Sequence, residues 1–132
     1  MNMLIVAVST VITMLIGALW YMILFREPWM KASGMSEEKM QAMMKKGMWM
    51  NYFFALVAAF VLNYIMAYLI DMLKITTVSG GLMLGFVTWL GFSVTTSINA
   101  INWEGRPMSL YFINIFQYFV VFLVSSGILS MW

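Results

Sequence analysis

The chain of 132 residues is 64% hydrophobic and only 9% charged, whereas about 25% of the residues in a soluble domain are charged. This composition excludes a water-soluble domain and a disordered chain, and a net charge of only +2 argues against a nucleic-acid-binding module. The chain has no Cys and no His, so it lacks disulfides and the usual ligands of zinc and haem. We expect a small integral membrane protein, one domain over residues 1–132, that works without a cofactor.

Four apolar runs are each long enough to cross a membrane, because about 20 apolar residues span the roughly 30 Å hydrocarbon core. They are predicted at about residues 3–25, 48–70, 78–102 and 109–131. The fold class that follows is an all-α integral membrane protein with four transmembrane helices in a bundle. A short amphipathic interfacial helix is expected in the loop 26–47, between the first two spans.

The sequence of that loop contains the start signal of a helix. Ser36 precedes two glutamates, which are favoured at the positive end of the helix dipole. Methionines then recur at helical spacing, at Met40, Met43, Met44 and Met48. Because no Cys or His accompanies these thioethers, packing and lipid contact explain them better than a Cu(I) site. We expect no metal in this protein.

The basic residues predict the orientation in the membrane. Five of them lie in the loop 26–47 and Arg106 lies in the third connection, whereas the second connection holds only Lys74. Lys and Arg concentrate in cytoplasmic loops. Both termini are therefore predicted outside, with the first and third loops in the cytoplasm and the protein in the inner membrane of a cell.

Rows of small and polar residues indicate where the helices pack. On the third span one stripe holds Gly81, Gly85, Thr88, Thr95, Asn99 and Asn102. Similar rows lie on the first and second spans, at Ser9, Thr13 and Gly17, and at Ala59, Asn63 and Ala67. In lipid, small residues let helices approach closely. The stripe is thus a packing seam or, alternatively, the lining of a solute path.

Amides collect in the half of the membrane near the charged loops. We hypothesise a polar cluster or solute path there, formed by Asn51, Thr88, Thr95, Asn99, Asn102, Asn114 and Gln117. Charged residues border the same region, so two ion pairs between the hairpins are expected, Arg26 with Glu104 and Glu27 with Arg106. No charged residue lies near the middle of a predicted span, where one would mark a proton or ion pathway.

Three functions remain open for such a chain. Without a His or Cys base or nucleophile, and without paired carboxylates in the membrane, enzymatic activity is not expected. The leading hypothesis is an assembly or accessory subunit of a membrane complex or homo-oligomer, in contact with the lipid bilayer and not with nucleic acid. The alternatives are a transporter or channel for small solutes, built by oligomerisation, and binding of a lipid or amphiphile at the cytoplasmic basic cluster.

Several motifs resemble a known family. They are the run from Gly17 to Tyr21, Gly34 to Glu38, Leu84 to Phe92, Glu104 to Arg106, and the closing Gly127 to Leu129 with Trp132. Together they are similar to small bacterial four-helix membrane proteins grouped as domain-of-unknown-function family 1761. The resemblance implies a bacterial inner-membrane location and one four-helix unit, but no reaction or ligand. Members often carry a Tyr-His pair in the last helix, where this chain reads Gln117-Tyr118.

The predicted orientation can be tested with a single thiol. Because the chain has no Cys, an Asn2→Cys variant carries one thiol at the amino terminus. A membrane-impermeant thiol reagent should label it in intact cells. Failure to label this variant before permeabilisation would contradict an outside amino terminus.

Overall fold

The computed structural model describes residues 2–132, and four of its helices are long and apolar enough to cross a membrane. These four spans are Met3–Leu24, Trp49–Met72, Val78–Asn102 and Met108–Ser130. Their bounds lie within two residues of the ranges predicted from the sequence. The predicted fold class, all-helical with four membrane-crossing helices, is confirmed.

Two of the spans are not uniform α-helices. The first consists of α1, Met3–Leu19, and a π-helical turn, Trp20–Leu24. The third consists of α5, Val78–Thr88, a π-helical segment, Trp89–Val94, and the short helices α6, Thr95–Ser97, and α7, Asn99–Asn102. The second and fourth spans are the regular helices α4, Trp49–Met72, and α8, Met108–Ser130. Helices α2, Arg26–Ser33, and α3, Glu37–Lys46, fill the first loop.

Local sequence signals set the ends of these helices. Asn2, Ser36 and Thr77 begin α1, α3 and α5, and each side chain accepts a hydrogen bond from a backbone N–H of the first turn. Gly34 ends α2 with φ +76°, a left-handed conformation that glycine adopts without a steric penalty. Helix α3 therefore begins at the predicted place, and Met43 and Met44 on it are exposed. Its location on the membrane surface stays a prediction.

The bundle has two unlike ends. We call the end with the connections 25–48 and 103–107 the charged end, and the other, where the chain begins and finishes, the terminal end. At the terminal end the first, second and fourth spans enclose an apolar core of Val6, Met66, Ala67, Ile70 and Leu129. Three spans are thus packed tightly together there.

The fourth span is the centre of the bundle, and the third packs mainly against it. Gly81 and Gly85 lie directly on α8, because a Cβ built on either one would meet a backbone carbonyl oxygen at 2.7 Å, that of Ser126 or of Phe122 respectively. Ser130 and Ser126 supply small side chains opposite these glycines. This is the close approach that small residues four apart permit between membrane helices.

The predicted polar stripe of the third span is wrong beyond its first half. Gly81, Gly85 and Thr88 are buried, whereas Thr95, Asn99 and Asn102 are exposed. The π-helical segment between the two groups is the reason. It adds one residue to the helical turn, which rotates everything after it by about 100° relative to a regular helix. The second half of the stripe therefore leaves the seam.

Each π-helical segment begins with a tryptophan that is bonded to the fourth span. Trp20 Nε1 donates to the carbonyl oxygen of Ile113 at 3.0 Å, and Trp89 Nε1 donates to that of Ile115 at 2.7 Å. Tyr111 returns a bond from the fourth span to the third, with its hydroxyl 2.8 Å from the Val94 carbonyl oxygen. These bonds fix the two irregular spans on the regular one.

The close contact between α5 and α8 predicts that a methyl group added at the seam lowers stability, whereas one added outside it does not. Gly85→Ala should lower the free energy of unfolding by about 1–3 kcal/mol, because the new Cβ overlaps the Phe122 backbone and the helices must separate. Gly91→Ala is the matched control, since nothing lies within 4 Å of a Cβ at Gly91. Equilibrium unfolding in mixed detergent micelles measures the free energy of unfolding of both variants. Equal stability of the two variants would contradict a close seam.

Candidate functional site

A closed hydrogen-bond network joins three spans inside the bundle. The hydroxyl of Ser9 donates to Asn63 Oδ1 at 2.5 Å, and Asn63 Nδ2 donates to Thr13 Oγ1 at 3.0 Å and to the Ala59 carbonyl oxygen at 2.8 Å. Thr13 in turn donates to the Ser9 carbonyl oxygen and lies 3.3 Å from Ser125 Oγ. Ser9 and Asn63 are fully buried. The network fixes the first, second and fourth spans in one register.

On the charged side of this network the second span separates from the others. Every residue of the segment 49–58, which we call the unpacked segment, is exposed, whereas Ala59, Asn63, Met66 and Ala67 further along are buried. Helix α4 is therefore held by its terminal half only. Ten exposed residues in a row cover all sides of a helix, so this segment has no packed face.

The separation opens a groove of about 430 Å³ between the first and second spans, with the fourth span as its floor. We call it the lateral groove. Its walls are mostly apolar and include a row of small residues, which are Gly17, Ala18, Ala55, Ala58 and Ala59. Thr13, a member of the network, lies at its closed end, and Tyr21 and Tyr52 lie toward the charged end. No charged residue lines it within the part of the chain that the structure describes.

One amide faces the lateral groove without a partner. Gln117 is only 6% exposed; among residues 2–132 its side chain forms no hydrogen bond, and its amide atoms lie at the surface of the groove. A Cβ built at Gly17 would lie 3.8 Å from Gln117 Nε2, so it is the missing side chain of Gly17 that leaves room in front of the amide. An unsatisfied amide in hydrocarbon costs several kcal/mol, so this amide is the strongest binding feature of the groove.

A second cavity, with polar and charged residues in part of its lining, lies beside the groove at the charged end. It has a volume of about 210 Å³ and is lined in part by Ser97, Glu104, Arg106 and Asn114. Tyr118 borders both cavities. The Tyr21 hydroxyl donates to Asn114 Oδ1 at 2.8 Å, and this bond closes the gap between the first and fourth spans. Polar groups thus line the charged end, and apolar ones the membrane interior.

The structure does not bring the seven predicted polar residues together. Asn114 and Gln117 lie near the lateral groove, but Thr88 is buried and donates to the Leu84 carbonyl oxygen in its own helix. The remaining four are exposed on other faces: Asn51, Thr95, Asn99 and Asn102. The predicted residues therefore do not form one cluster within a single chain, since the π-helical segment turns the third span and the second span diverges. Tyr21, Ala55 and Ala58 were missed, although the alanine-rich stretch 55–59 was a visible signal.

Both predicted ion pairs between the hairpins are also wrong. Arg26 Nη2 lies 2.8 Å from Glu37 Oε1, and Arg106 Nε lies 3.8 Å from Glu104 Oε2. The left-handed turn at Gly34 folds α3 back toward the start of α2, and a turn at Gly105, φ +67°, keeps Glu104 beside Arg106. Each pair is therefore local in sequence. All four side chains are exposed, so each pair contributes little to stability.

The comparisons with known proteins give a family and no function. A family model described as "Protein of unknown function (DUF1761)" matches residues 4–130. The search of curated proteins gave no match, and neither did the search of solved structures.

The network predicts that two asparagines of helix α4 contribute differently to the stability of the fold. Asn63→Ala should lower the free energy of unfolding by about 1–2 kcal/mol, because it removes two hydrogen bonds to the first span, and single interhelical bonds in membranes average about 0.6 kcal/mol. Asn51→Ala, at the exposed start of the same helix, should stay within about 0.5 kcal/mol of wild type. Equilibrium unfolding in mixed detergent micelles measures the stability of both variants. An equal loss of stability in the two would exclude a special role for Asn63.

Proposed function

The chain belongs to that uncharacterised family, and from its geometry we propose that it is a non-enzymatic assembly or accessory subunit of a membrane complex or homo-oligomer. The observation that carries this proposal is the unpacked segment, residues 49–58, which has no packed face in the single chain. Under the proposal, a helix of a partner or of a second copy packs against its outer side.

The chemistry of the unpacked segment suits a helical partner in the membrane. Phe53, Phe54 and Val57 are exposed, and none of them lines the lateral groove, so they point away from it. Aromatic side chains supply large contact areas with little loss of conformational freedom.

The non-enzymatic part of the proposal is supported by the composition of the chain. With no His and no Cys, it has neither of the side chains most often used for proton transfer or nucleophilic attack near neutral pH. Under the same proposal the charged end faces the cytoplasm of a bacterial cell, because the basic residues concentrate there. Helix α3 then lies on the inner membrane surface with its methionines toward lipid.

Cross-linking from single cysteines tests the assembly. With a thiol-reactive photo-cross-linker attached, Phe53→Cys should form covalent links in native membranes, because its side chain faces the proposed partner. Ile98→Cys is the matched control, since it is also exposed and also lies four residues from the charged end of its span. Links from residue 53 at least fivefold more frequent than from residue 98 are expected.

The mass of the linked product identifies the partner. A product of twice the 15.2 kDa chain mass indicates a homo-oligomer, and a reproducible product of another mass indicates a second protein. Native mass spectrometry after gentle extraction gives the stoichiometry. The proposal would be overturned if both cysteines formed links equally often and native mass spectrometry detected the chain only as a monomer.

A further inference from the structure

We propose that the lateral groove binds one uncharged amphiphile, a slender hydrocarbon chain with a single carbonyl or hydroxyl group that bonds to the Gln117 amide near the middle of the membrane. This site is separate from the outer face of the unpacked segment, so it does not rest on the proposed assembly. The residues that carry it are Gln117, Gly17 and the alanines of the opposite wall.

The volume of the groove limits the size of its occupant. A cavity of about 430 Å³ falls within the roughly 300–1,000 Å³ range of small-molecule sites. A helix is about 10–12 Å wide and rises about 5.4 Å per turn, so the groove holds about one turn of a helix and cannot enclose a span. A hydrocarbon chain passes between Gly17 on one wall and Ala55 and Ala58 on the other.

The lining of the groove sets the charge of the ligand. None of the groove residues among those described is charged, and a charge in the membrane interior would be left without a partner at high cost. Of the other polar side chains, Thr13 belongs to the network and the Tyr21 hydroxyl donates to Asn114, whereas the hydroxyl-bearing Tyr52 and Tyr118 are exposed. The ligand is therefore uncharged, and its polar part meets the Gln117 amide, the buried polar group of the lining that has no partner.

The depth of Gln117 distinguishes this ligand from an ordinary phospholipid. Gln117 follows the start of α8, Met108, by nine residues, which places it about 14 Å along the helix at 1.5 Å per residue. This is close to the middle of a hydrocarbon core roughly 30 Å thick. The polar groups of a bilayer phospholipid lie at the interface, so only a molecule that carries its carbonyl or hydroxyl deep in the membrane reaches the amide.

A bound water is the simpler alternative for this amide. A buried water needs two to four polar partners, whereas the wall in front of Gln117 is Gly17 and the surrounding lining is mostly apolar. A ligand carbonyl needs only one of the two N–H donors that the amide supplies. The geometry thus favours a ligand group over water.

Three probes of equal length test the class of ligand with the full-length protein in nanodiscs. They are a seventeen-carbon alkane, a seventeen-carbon ketone with a central carbonyl, and a seventeen-carbon carboxylate. The ketone should bind best, and Gln117→Leu should weaken its binding about three- to tenfold, the effect of one hydrogen bond, without changing alkane binding. Gln41→Leu, at the exposed side chain of the other glutamine, should change neither.

A carbonyl label and two groove variants complete the test. The infrared band of an isotope-labelled ketone should shift to lower frequency in wild type and not in Gln117→Leu. Gly17→Leu should abolish binding of ketone and alkane by filling the groove, whereas Gly91→Leu, in open space, should not. If Gly17→Leu fails to fold, Ala55→Leu on the exposed opposite wall replaces it.

Three results would overturn the proposal. Equal binding of ketone and alkane with no infrared shift would mean that Gln117 contacts no ligand. Preference for the carboxylate would exclude an uncharged ligand. Unchanged binding in a folded groove-filling variant would place any bound probe elsewhere. None of these results bears on cross-linking from residue 53, so the two proposals can fail separately.

Discussion

The fold depends on how one buried amide is satisfied in hydrocarbon. Asn63 lies inside the bundle with no exposed surface, where no water competes for its donors and acceptor. Both of its N–H donors bond, to Thr13 on the first span and to the backbone of its own helix, its oxygen accepts from Ser9, and Ser125 of the fourth span joins through Thr13. A rotation or shift of any of these three spans would break the set, so this network defines their register.

From that fixed point the two ends of the molecule behave differently. Toward the terminal end, Val6, Met66 and Leu129 fill the space between the spans. Toward the charged end the first span stays bonded to the fourth through Trp20 and Tyr21, but the second span has no corresponding bond and diverges. One helix held at one end only creates both the lateral groove and the unpacked segment. The two proposed kinds of binding thus lie on opposite faces of α4 and share this one cause.

The lateral groove combines two features that oppose each other in a membrane. Small residues on its walls favour close helix packing, yet the helices are apart, and Gln117 keeps an unsatisfied amide within the space between them. A protein selected only for stability would close such a gap or replace the amide. The proposed ligand binding rests on this unpartnered amide and on its depth in the membrane.

The sequence by itself determined which segments cross the membrane, where their helices begin, and which small residues pack, because transfer to lipid, capping and close approach depend on residue type and local spacing. Ser36 and the rows through Asn63 and Gly85 belong to this group. Only the tertiary structure decided which polar groups meet. The π-helical segment after Thr88 rotates the third span, local turns at Gly34 and Gly105 redirect Arg26 and Arg106, and the divergence of α4 exposes Gln117 to a groove. These outcomes follow from helix rotation and from contacts between distant segments, which residue spacing along one helix does not contain.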